Sequence, residues 1–204
     1  ITAANSPTPY RDNLFGVNSD QLLFISAPAY NVIRREILKP DGISFLSHRP
    51  EQAGSQEFIA SKDSWFRPTM LKTGPDGALW IADFYRLVLE HPEWIPDDVE
   101  QKLKLRSGSD RGRLYRVYPT KKTPRAVPKL SNKTKPELVA ALDSSNGWQR
   151  DTAQQILVNQ NDQSTVTHLE ELLKKTKNPK ALLHALYTLD GINKIRPNHL
   201  IIGL

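Results

Sequence analysis

Two Pro-Asp-Gly turns, Pro40-Asp41-Gly42 and Pro75-Asp76-Gly77, stand 35 residues apart and divide the first half of the chain into short strand-like segments. Proline presets φ for a turn, Asp bonds its own backbone, and Gly takes the positive φ that closes a hairpin. The segments around them are rich in β-branched and bulky residues: Leu22 to Ser26, Asn31 to Leu38, Ile43 to His48, Thr69 to Thr73, Ala78 to Phe84 and Gly112 to Tyr118. The pattern therefore predicts hairpins, with Lys39 to Gly42 joining the second and third segments and Gly74 to Gly77 joining the fourth and fifth. A turn spacing of this size is near the period of a β-propeller blade, and short strands with regular turns fit a sandwich as well.

After residue 118 the pattern changes. Residues 119 to 133 hold three prolines and five basic residues with few apolar ones, which reads as a linker. Beyond it the period is helical. Thr134-Lys135-Pro136-Glu137 is a capping box ahead of Leu138, Val139 and Leu142. A second helix is predicted from Asn146, with Trp148, Thr152, Gln155 and Ile156 sharing a face. A third follows Asn161 or Asp162 and buries Val166, Leu169, Leu172 and Leu173. A fourth, capped by Asn178 with Pro179 at its first position, shows Leu182, Ala185, Leu186 and Leu189 and ends at Gly191. Four short helices in pairs predict a HEAT-like hairpin array. The expected fold class is thus β then α: propeller blades over 1–118, a Pro/Lys-rich linker over 119–133, and a helical repeat over 134–204.

Charge and composition remove several function classes. The net charge of +6 is confined to the second half, since residues 1–120 hold fifteen Lys and Arg against fifteen Asp and Glu. The excess lysines lack the interleaved aromatics of single-strand binders, so nucleic acid is not an expected partner. With no cysteine, disulfides, thiol catalysis, Cys-bound zinc and a CxxCH haem site are excluded within these residues. No apolar run is long enough to span a membrane. The chain opens at Ile1 without a methionine and stops within an apolar run, so it reads as a piece of a longer protein.

The densest polar constellation is Trp65-Phe66-Arg67-Pro68 with Asp83-Phe84-Tyr85-Arg86, followed by Glu90-His91-Pro92-Glu93. Asp83 closes a strand, and Arg67, Tyr85, Arg86 and His91 are candidates to converge on it at a ligand or cofactor face. Two guanidinium groups, a carboxylate and an imidazole suit an anionic ligand or a polarised carbonyl, with His91 as base. The same residues serve equally as a turn cap, an ion pair and inter-blade packing. Asp41 and Asp76 read as turn residues, since calcium takes six or more oxygens. His168 and His184 lack a partner at metal spacing, so no metal site is expected. Arg111-Gly112-Arg113 is a weak phosphate signal that flanks the strand it precedes.

The run Asn31 to Glu36, the stretch Phe58 to Pro68, GPDGALWIADFYR (Gly74 to Arg86), EHPEW (Glu90 to Trp94), DRGRLYRV (Asp110 to Val117), NGWQRDTAQQILV (Asn146 to Val158) and LLHALYTLDG (Leu182 to Gly191) together resemble the planctomycete-type membrane-bound dehydrogenases. That resemblance implies a glucose/sorbosone dehydrogenase-like propeller, HEAT repeats and usually a C-terminal cytochrome c domain. It further implies an exported, periplasmic or membrane-associated oxidoreductase acting on a sugar or alcohol and passing electrons to a cytochrome. Pyrroloquinoline quinone with calcium, and haem c in a downstream domain, are implied for the whole protein and no cofactor for these residues alone. Neither a catalytic base nor a haem ligand can be assigned to a position here. The alternative is a binding or scaffold module for a polysaccharide or protein partner, with protein contacts through the HEAT-like region.

Overall fold

The computed structural model describes residues 4–16, 18–89 and 91–202. They form antiparallel sheets followed by helices, in two compact units. One comprises Ile1–Tyr10, Leu14–Gly74 and Ala78–Thr123; the other comprises Arg11–Asn13, Pro75–Gly77 and Pro124–Leu204.

The β unit contains two sheets. The first has the order β1 (Asn5–Pro9), β2 (Leu22–Ala27), β3 (Val32–Asp41), β4 (Ser44–His48), with the short β5 (Ile59–Ala60) also pairing with β3. The second is β6 (Pro68–Thr73), β7 (Leu79–Asp83), β8 (Arg113–Val117), each antiparallel to the next. Alternation decides which side chains are buried. Phe24 and Ile33 from the first sheet, and Leu71, Leu79 and Ile81 from the second, meet with Tyr10 and Phe66 in one core. Aromatic rings fill its upper part, with Phe24 and Phe58 centroids 4.8 Å apart and Tyr10 edge-on to Phe15 at 4.7 Å.

The two Pro-Asp-Gly signals behave differently. Gly74 to Gly77 turns where it is expected: the Gly74 N–H donates to the Ala78 carbonyl at 2.8 Å, and Gly77 holds φ +88°. In the other, Pro40 and Asp41 belong to β3, paired with Phe45 and Ser44, and the loop is the two residues Gly42-Ile43. Gly42, at φ +58°, supplies the left-handed first position that a two-residue hairpin needs, so the turn lies two residues later than the Pro-Asp signal places it. β1 carries two prolines and no bulky residue; it forms because an edge strand leaves one side of its backbone without a ladder partner. Between β7 and β8 lies a long connection containing the one-turn helix α1 (Asp97–Glu100), which hydrophobic periodicity does not signal.

The helical unit contains α2 (Lys135–Ala141), α3 (Gly147–Gln160), α4 (Thr165–Lys175), α5 (Pro179–Gly191) and α6 (Pro197–Ile202). The capping box closes at Thr134 and Glu137, and Asn146 and Asn178 cap α3 and α5 through their side-chain oxygens. Leu138, Leu142, Leu157, Leu169, Leu173, Ala185 and Leu189 form the core, joined by Leu130 from the stretch expected as linker. Of the residues expected to share a face of α3, Ile156 packs against this core. Arg150, Ala153 and Leu157 face inward, whereas Trp148 is 37% exposed. A strip of small and polar residues is a weak hydrophobic signal, which is why the tryptophan misleads.

Candidate functional site

Asp83 is the last residue of β7, and its carboxylate is fully buried. One oxygen, Oδ1, accepts from the backbone N–H groups of Arg67 and Tyr85, both at 2.8 Å. The other, Oδ2, accepts from Arg113 Nε at 2.6 Å. Register explains the last contact, because Asp83 and Arg113 are direct partners across β7 and β8. Arg113 also reaches Asp63 at 2.9 Å and lies 4.1 Å over the Tyr85 ring. Burial opposes the charge on Arg113, yet its bonds to Asp83 and Asp63 hold the guanidinium above its ordinary pKa. The Trp65 N–H and then Arg113 hold the Asp63 carboxyl below its usual range. For Tyr115, burial raises the phenol.

The guanidinium of Arg67 goes elsewhere. Nε donates to the Arg86 carbonyl at 2.9 Å, Nη1 to the Pro28 carbonyl at 3.0 Å, and Nη2 to the Leu87 carbonyl at 3.0 Å. Burial draws its pKa down, against the fields of Asp63 and Asp83. Arg86 likewise spends Nη1 on carbonyls, those of Phe84, Tyr85, Gly108 and Arg111. Tyr85 sits at φ +52°, a costly conformation for an aromatic residue, and its ring is 5.2 Å from that of Trp65. The structure thus brings together Arg67, Asp83, Tyr85 and Arg86. His91 is not among them; it pairs with Glu93 at 3.9 Å on an exposed turn. Glu90 lies outside the described residues.

Chemically, this corner is a set of donors and acceptors already matched to one another. Both Asp83 oxygens are taken by N–H donors, so it is not a calcium ligand as folded. The donors of Arg67 that would grip a quinone carboxylate are bonded to the main chain. The residues present therefore do not fit a quinone-calcium site, and no chemical step is derived through one. Among the described residues, no group of three or more His, Asp or Glu is placed to hold a metal ion, and no helix is long and apolar enough to cross a membrane.

Sequence reasoning missed Arg113 and Asp63 as partners. The usable signal was the strand register that pairs Asp83 with the first residue of the next strand. It also missed a buried polar cluster in the helical unit. Asp12, whose side chain is fully buried, is ion-paired with Arg125 and accepts from Asn146 Nδ2 at 2.6 Å, while Arg125 N–H donates to the Asp76 carbonyl at 3.1 Å. Nearby in the same unit, Arg11 and Asp151 pair at 2.5 Å, and His184 Nδ1 lies 2.6 Å from Gln154 Oε1.

A family model described as a domain of unknown function, DUF7133, matches residues 1–121. The chain belongs to the DUF7133 family. No curated protein and no solved structure matches it. The DUF7133 match takes in the whole Asp83 corner and ends just past β8, and α2 to α6 lie beyond it.

Proposed function

We propose that this DUF7133 chain is the architectural part of an exported quinoprotein-type sugar or alcohol dehydrogenase, supplying propeller blades and a helical spacer while positioning, rather than performing, the chemistry. The observation that carries the proposal is the saturation of the Asp83 corner: its carboxylate and the Arg67 guanidinium are bonded to neighbouring main chain and to Arg113. Sequential antiparallel strands in two sheets that share a core are compatible with adjacent blades. The sequence resemblance supplies the redox assignment, and with it a cytochrome as electron acceptor and a periplasmic or membrane-associated setting. The test is to assay the full-length protein with pyrroloquinoline quinone, calcium and an artificial acceptor over sugars and alcohols. Turnover is expected, and Asp83→Asn lowers thermal stability while leaving turnover per folded molecule unchanged. Absence of turnover and of retained quinone contradicts the dehydrogenase assignment.

A second reading, a module that binds a protein or polysaccharide partner without chemistry, is favoured by one surface. Lys174, Lys175 and Lys177 are exposed around the end of α4, and Leu183 and Tyr187 are more than half exposed along α5. Loss of partner capture on changing the three lysines to Glu supports that reading.

A further inference from the structure

Four dipeptides in this chain are of the kind whose main chain can rearrange unaided: Asp41-Gly42, Asp76-Gly77, Asn146-Gly147 and Asp190-Gly191. The glycine nitrogen attacks the side-chain Cγ of the residue before it, closing a succinimide and expelling water from Asp or ammonia from Asn. Water then opens the ring. Cleavage at the α-carbonyl leaves isoaspartate, with the chain running through Cγ and a free α-carboxylate. For Asp the water lost is regained, so no oxidant or co-reactant is needed. Glycine favours the step because it adds no side chain to crowd the ring and leaves the backbone free to turn. The surroundings of each dipeptide decide whether nitrogen and Cγ can meet.

Three of the four are held apart by packing. Asp76 is buried, its carbonyl accepts from the Arg125 N–H at 3.1 Å, and a Cβ on Gly77 would stand 2.8 Å from Asp12 Oδ1. Asn146 is buried as the cap of α3, with Oδ1 accepting from the Gln149 N–H at 2.9 Å and Nδ2 donating to Asp12 at 2.6 Å. Its would-be attacker, the Gly147 nitrogen, donates to the Arg11 carbonyl at 2.7 Å. Gly191 is the last residue of α5, where the helix fixes the backbone of Asp190 and a Cβ would meet Val158 at 2.7 Å.

Asp41-Gly42 has none of these restraints. The ladder ends at the Asp41–Ser44 pair, which leaves the Gly42 N–H outside it. The position of a Cβ on Gly42 has no heavy atom within 4 Å, and the Asp41 carboxylate holds no hydrogen bond or ion pair among the described residues. Asp41 and all of β4 are exposed, so this hairpin end can open without losing core contacts. Lying in the loop beyond the last strand pair, Gly42 is also clear of the sheet faces on which neighbouring blades would pack.

We propose that Asp41-Gly42 is a modification site, the one of the four at which the folded chain converts to isoaspartate. The rearrangement adds a carbon to the main chain at the last paired residue of β3 and replaces the carbonyl opposite Ser44 by a carboxylate, so the end of the hairpin loses its register. This chemistry is independent of the redox assignment.

Ageing the full-length protein in mildly acidic buffer, well below its melt, tests the proposal, with peptides from successive samples read by electron-transfer fragmentation. Isoaspartate is expected at position 41 at least tenfold faster than at positions 76, 146 and 190. Unfolding in urea is expected to bring positions 76 and 190 level with 41, and Gly42→Ala to slow position 41 at least tenfold. No isoaspartate at position 41 in the folded protein, or formation there no faster than at the other three, overturns the proposal.

Discussion

Asp83 and Arg113 face one another across β7 and β8, with Arg113 Nε 2.6 Å from a carboxylate oxygen that solvent does not reach. Around that pair two backbone N–H groups close on the other carboxylate oxygen. Asp83→Ala removes one acceptor from three donors at once and is expected to cost about 2–4 kcal/mol. Asp83→Asn keeps one oxygen for the two N–H groups and costs less. Denaturant titration of the two variants gives that order.

The approach of Gly108 to Tyr85 gives a second outcome. Gly108 is at φ +87°, and a Cβ there would run into the Tyr85 carbonyl oxygen and come within 3.3 Å of the Trp65 ring. Gly108→Ala is expected to cost about 2 kcal/mol or more, from backbone strain and a clash together. At Gly42, φ is +58° but nothing lies within 4 Å, so Gly42→Ala costs about 1 kcal/mol from strain alone. Thermal melts compare the two directly.

Acid acts on the helical unit in two stages. Burial and then the nearby Arg150 hold His184 below its ordinary value of 6.5. The unfolded chain therefore binds that proton first, and stability begins to fall as pH drops below about 6.5. Lys133 holds the Glu137 carboxyl down at about 2, and Lys135 does the same for Asp162. Folded values lie below the unfolded ones of 4.5 and 3.8, so this contribution is present above about pH 4.5 and lost as pH falls to about 2. Helical ellipticity followed through an acid titration shows both stages, and Glu137→Gln with Asp162→Asn shrinks the second.

Core and surface leucines of neighbouring helices separate sharply. Leu169, fully buried in α4, is expected to cost about 2–5 kcal/mol on change to Ala. Leu183 on α5 is 54% exposed, and Leu183→Ala is expected to fall within about 0.5 kcal/mol of the parent.

The helices were legible because their signals are local. The Thr134–Glu137 box, the Asn178-Pro179 start and the leucine spacing each act within a turn or two. β1 and α6 were not, since Asn-Ser-Pro-Thr-Pro has no strand preference and forms only because β2 offers it an edge, while α6 is a short terminal turn. The same distinction divides the Asp83 corner. Asp83 at a strand end was readable, but its partner depended on which residue of β8 came opposite, and that is fixed by pairing between segments about 30 residues apart. His91 was drawn in by sequence proximity and in space belongs with Glu93.

A double-mutant cycle on Asp83→Asn and Arg113→Met, read by denaturant unfolding of the full-length protein, tests most directly whether the corner is a brace. A coupling of about 1–3 kcal/mol, with turnover per folded molecule unchanged in every variant, is predicted. Coupling near zero, or turnover lost while stability holds, would contradict it.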